Sequence, residues 1–105
     1  MIVSKNLLTK IVHAMSPASK IDMKFYSDMN VYLEYAATMI ANDNDIKNYW
    51  MKLATPKMSK SLILPLSIAK QYLESGADNT DLVKFTATLE YIAEDMIELS
   101  SYAAR

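Results

Sequence analysis

The chain has 105 residues, of which 51% are hydrophobic and 22% charged, with a net charge of −1, no cysteine, one glycine and three prolines. This balance excludes a disordered chain and a disulfide or thiolate-metal framework, and one glycine cannot build a glycine-rich phosphate loop. The longest unbroken apolar runs, such as 62–66, are too short to cross a bilayer, and "MIVSKNLL" lacks the pattern of a signal peptide; the expectation is one cytoplasmic domain.

Scarce glycine and proline mean few tight turns, so long helices with short joints are the natural use of the chain. Ser4 can cap a first helix whose Leu7, Leu8, Ile11, Val12 and Met15 form one apolar stripe. Ser16-Pro17 stops it and can open a second helix running to about Asn42. In that helix Tyr26, Met29, Leu33, Ala36 and Ile40 repeat by three and four, and Phe25, Tyr32 and Met39 widen the face. The "NDND" cluster at 42–45 closes this helix and caps a short third one. There Ile46, Tyr49, Trp50 and Leu53 form the expected core stripe, ending before Thr55-Pro56. Residues 57–61 are a connector or the first turn of a fourth helix: Pro65 falls near its start if Ser61 caps it, the preferred reading, and kinks it if it begins at Pro56. Gly76 ends that helix in the left-handed conformation. Leu82, Phe85, Leu89, Ile92, Met96, Leu99 and Ala103 give the last helix a heptad seam. The expected fold is all-α: a single-domain bundle of four to five helices, mainly antiparallel, spanning 1–105.

Catalytic and metal patterns are weak. Glu90, Glu94 and Glu98 stand one turn apart on the last helix, but dimetal bundles need Glu-x-x-His pairs. The single histidine, His13, has no glutamate three residues before it, so the row reads as a solvated acidic face. Asp43 and Asp45 have calcium-loop spacing, but Lys47 and Asn48 stand where the loop needs an oxygen ligand and a glycine. No nucleophile elbow is present, and one histidine leaves little material for a triad. The expectation is therefore a protein that is not an enzyme and uses no cofactor or metal.

Charge placement is the stronger signal. Residues 46–73 carry five lysines and no acid, whereas 74–105 carry seven acids against Lys84 and Arg105. The basic segment can lie beside the acidic helix and pair with it, can meet the acidic face of another copy or a different protein, or can meet nucleic-acid phosphate. A lone arginine and near-zero net charge argue against nucleic acid.

With Trp50 assigned to packing, the candidate partner-binding residues are Lys47, Met51, Lys52, Lys57, Met58 and Lys60, two adaptable methionines among positive charges. A second candidate interface comprises Tyr35, Tyr91, Glu90, Glu94 and Glu98. The resulting functional expectation is a small protein–protein interaction module of adaptor, inhibitor or antidote type, such as phages and bacteria encode, without membrane contact. A homodimer through the heptad seam is one form of it. The alternative is an oligomeric helical binder of a small anionic ligand such as a nucleotide, held by lysines, tyrosines and helix N-termini.

Overall fold

The computed structural model describes residues 3–15, 23–59, 61–73 and 76–103, without the side chains of 23, 58, 59 and 99–103. Among these residues five helices follow in order: α1 (Lys5–Met15), α2 (Met23–Asn42), α3 (Asn44–Leu53), α4 (Leu66–Lys70) and α5 (Asn79–Ala103), with a 3₁₀ turn at Thr55–Ser59. There is no strand among the described residues, and the all-α expectation holds. The Ser16-Pro17 start of α2, the Lys60 backbone and side chain, and the Met58, Leu99 and Ala103 side chains lie outside the described residues.

Local chemistry sets the boundaries. The Ser4 hydroxyl accepts from the Leu7 N–H at 3.2 Å, satisfying one of the donors that a helix start leaves free. Leu8, Ile11 and Val12 then bury the α1 stripe. The preceding Val3 N–H donates to the Oδ1 of buried Asn30 at 2.9 Å, tying this end of the chain to α2. Asp43 alone separates α2 from α3, and its Oδ1 accepts from the N–H groups of Asp45 at 3.0 Å and Ile46 at 3.2 Å. On α2 the buried set is Tyr26, Met29, Leu33, Ala37 and Ile40. Ala37 thus takes the place expected for Ala36, which is half-buried, and Tyr32 is exposed.

α5 is the axis of the molecule, and α1, α2, α3, α4 and the 3₁₀ turn all pack on it. Every residue at 85–90 is buried. The seam residues Leu82, Phe85, Leu89 and Ile92 are buried as expected, and Thr86, Ala87, Thr88, Glu90, Ala93 and Ile97 are buried with them. A two-sided helix became an all-round one because small Ala and Thr side chains admit neighbours on the remaining faces. The seam from Leu82 to Ile92 is therefore spent inside the monomer.

The fourth helix is five residues long, not the fourteen expected between a Ser61 cap and Gly76. Residues 61–65 carry no helix, and Pro65 is the extended residue just before α4, with φ −77° and ψ 150°, so it neither kinks the helix nor stands in it. Two physical causes act together. Proline disfavours helical backbone at Leu64, and the N–H groups of Ile63 and Leu64 donate to a side chain of α5 described below. Gly76 does not adopt a positive φ, and α4 has already ended at Lys70, so the left-handed cap is absent. A Cβ placed on Gly76 would meet nothing within 4 Å. Gly76→Ala is therefore expected to be neutral or to stabilise by about 0.4 to 1 kcal/mol through lower unfolded-chain entropy. Urea denaturation reads this directly, and a loss above about 1 kcal/mol would show that the site needs glycine's conformational freedom.

Candidate interaction surface

α3 fixes the exposed surface by its rotation. Ile46, Trp50 and Met51 turn towards the core and are half-buried, and Ala54, just after the helix, is fully buried. Tyr49 and Leu53, expected inside, are 62% and 39% exposed. The helix offers two stripes of similar spacing, and contact with α2 and α5 selects the one that seats Trp50 and Met51. Met51, expected as an exposed contact, is consequently half-buried.

Large exposed hydrophobic residues concentrate on two helices. Val31, Tyr32 and Tyr35 stand on α2, and Tyr49 and Leu53 stand on α3. Between these helices a groove of about 220 Å³ is walled by Tyr32, Tyr35 and Met39 from α2 and by Ile46 and Trp50 from α3, with Ile92 of α5 at its floor. Trp50 makes two aromatic contacts. The Tyr49 ring meets it edge-on at 5.7 Å, and the Tyr91 ring lies tilted at 6.3 Å. Such pairs contribute about 0.5 to 1.5 kcal/mol each beyond the area they bury. The indole is a fixed wall for that reason.

The lysine segment is arranged otherwise than its sequence suggested. Lys57 Nζ lies 2.9 Å from Glu90 Oε2 and 2.6 Å from Glu94 Oε1. Its side chain is only 17% exposed, and that of Glu90 is wholly buried. Glu90 Oε1 accepts from the N–H groups of Ile63 at 2.6 Å and Leu64 at 2.9 Å. Its Oε2 has no aligned hydrogen-bond donor and faces the ammonium group as an ion pair. One carboxylate therefore ties the 61–65 segment and the 3₁₀ turn to α5. This corrects two expectations. Glu90 belongs to no solvated acidic face, because the segment after the 3₁₀ turn covers it, and Lys57 is not a free cation for a partner.

Lys52 and Glu98 are exposed, Lys47 is half-buried, and Glu94 and Tyr91 are half-buried beside the groove and the ion pair. Tyr35 lies at the groove's edge and is 64% exposed. The structure thus separates the sequence candidates: Tyr35 lines the aromatic groove and Tyr91 packs on its Trp50 wall, Lys57, Glu90 and Glu94 join an internal lock, and Lys52 stands apart from both. Sequence reasoning missed Tyr32 and Tyr49 as surface residues because both fit apolar stripes. No helix among the described residues is long and apolar enough to cross a membrane.

The lock also has a pH signature. Burial pulls the pKa of Lys57 down, and the close carboxylates of Glu94 and Glu90 more than offset it, leaving the pKa above the ordinary 10.5. Burial, with a smaller contribution from Glu34, raises the Tyr72 phenol above its ordinary 10.0. In both cases the folded state holds its proton more tightly than the unfolded state. The associated stability is complete below the ordinary values and is lost as pH rises through the folded ones. Unfolding free energy is expected to be flat from pH 8 to about pH 10 in these two contributions and then to fall; urea titrations at stepped alkaline pH measure it, and Lys57→Met should flatten the fall.

A scan against protein-family models and searches of curated proteins and solved structures gave no match. The class that the fold and the surface define is accordingly stated from geometry alone: an all-α bundle with an aromatic groove on one side.

Proposed function

We propose that the chain is a non-enzymatic protein–protein interaction module whose working surface is the α2–α3 groove. The observation that carries this reading is a cleft lined by the exposed Tyr32 and Tyr35 and walled by Trp50, on the same two helices that carry the other large exposed hydrophobic residues among those described, Val31, Tyr49 and Leu53. Contiguous apolar surface of this kind is costly to leave in water and marks contact sites, and tyrosine and tryptophan are the side chains most enriched at the energetic centres of interfaces.

The groove's size suits one or two large apolar side chains from an amphipathic helix of a partner, docked by helix-in-groove packing. Asp28 stands one turn before Tyr32, and Asp95 stands one turn after Tyr91. Neither has an ion-pair partner among the described residues. A basic residue flanking the apolar anchor would complement them and favour encounter. An adaptor or inhibitor role of the type found in phage-encoded proteins fits this architecture, and so does a cytoplasmic setting.

The test is quantitative recovery of partners from native host cells by the wild-type chain and by Tyr35→Glu/Tyr49→Glu. A defined protein should be retained by the first and weakened at least about 30-fold with the second, the effect of losing an interface hot spot of about 2 kcal/mol. Melting should fall only modestly, because both side chains are exposed and the main loss is the Tyr49–Trp50 ring contact, about 0.5 to 1.5 kcal/mol. Equal recovery by both chains, or loss only with Lys52→Glu, would reject the groove.

A further inference from the structure

On the opposite flank of α3 lies a second, larger cleft of about 650 Å³, between α3, the turn after α4 and the first turns of α5. Its chemistry differs from that of the groove. Lys47 of α3 and Lys84 of α5 both line it, and neither ammonium group has an ion-pair partner among the described residues, where the ion pairs belong to Lys57. Asn44 and Asn48, one turn apart on α3, add two carboxamides to the same wall. Met51, Leu73 and the Tyr72 ring supply an apolar surface, and Tyr72 is itself stacked on Phe85 at 5.9 Å. Among the described residues one acid, Asp81, shares the cleft, and its first-turn position on α5 places it where helix-end N–H groups partly offset its charge.

We infer that this cleft is a binding site for a nucleoside phosphate, with Lys47 and Lys84 on the phosphate oxygens and the base against the Met51, Leu73 and Tyr72 surface. Two cations on separate helices fit a group with several anionic oxygens, which each lysine meets as a point charge. The carboxamides of Asn44 and Asn48 present a donor and an acceptor each, the complement that a base edge requires. The volume lies within the usual range for small-ligand clefts, roughly 300 to 1,000 Å³. This site is independent of the groove: it shares no lining residue with it, so either proposal can fail alone.

The test is calorimetric titration of the full chain with ADP, adenosine and inorganic pyrophosphate at about physiological salt, paired with amide NMR shifts. ADP should bind saturably, with the largest shifts at Asn44, Lys47, Asn48 and Met51, at Tyr72, Leu73, Gly76 and Ala77, and at Asp81 and Lys84. Lys47→Gln/Lys84→Gln should weaken ADP at least tenfold at unchanged helicity, and Tyr35→Glu should leave it unaltered. Adenosine or pyrophosphate alone should each bind at least tenfold more weakly than ADP. Absence of ADP binding at millimolar concentration, pyrophosphate binding as tight as ADP, or ADP affinity untouched in the double lysine variant would overturn the assignment.

Discussion

Replacing Glu90 with alanine is expected to remove about 3 to 5 kcal/mol of folding free energy, the usual loss when one partner of a buried ion pair is deleted. The side chain is wholly buried, and its removal acts on three groups together. The Ile63 and Leu64 N–H groups lose their acceptor, and Lys57 keeps only Glu94. Each buried donor left without a partner costs about 1 to 3 kcal/mol. Glu90→Gln should cost less, because its amide oxygen can still accept from the two backbone groups while the charge is lost. Urea unfolding of the two variants measures the difference. An alanine variant within about 1 kcal/mol of wild type would show that the carboxylate does not anchor the 61–65 segment. Because native domains hold only about 5 to 15 kcal/mol in all, Glu90→Ala should be close to the limit of folding at body temperature.

Phe85→Ala should have an effect of similar size, about 3 to 5 kcal/mol, from lost transfer energy and the cavity left beside the second turn of α5. Phe85 is fully buried and carries the Tyr72 stack, so the turn after α4 should loosen with it. Leu53→Ala is the paired control. A sequence stripe put Leu53 in the core, but it is 39% exposed, so its truncation should stay within about 0.5 to 1 kcal/mol. Comparable losses at Leu53 and Phe85 would mean that α3 is rotated the other way.

The residues show which levels of this fold the sequence expressed. Periodicity and caps marked α1, α2, α3 and α5, because Ser4 and Asp43 act on backbone groups within three residues and local chemistry is legible locally. The length of α4 was not legible, because the N–H groups of Ile63 and Leu64 are claimed by a carboxylate 26 and 27 residues away. The same long-range contact hid the fate of the acidic row: Glu90 and Glu98 are equally acidic in sequence, and only the covering segment makes the first internal and leaves the second in solvent. The notion that the basic middle lies beside the acidic helix and pairs with it does hold at Lys57, Glu90 and Glu94. Tyr35 was picked out because it falls off the α2 stripe, whereas Tyr32 and Tyr49 fall on stripes and gave no sign of exposure. A helix wider in apolar surface than its contact needs leaves aromatic residues outside, and pattern does not say which.

The account turns on whether contact with another protein runs through the aromatic groove or through the lysines that follow it. Placing a photoreactive amino acid at Tyr35 in one chain and at Lys52 in another, and irradiating both in native host cells, decides between them. Cross-linking to a discrete protein from position 35 with little from position 52 is the predicted result. The reverse pattern, a product from 52 and none from 35, would contradict it.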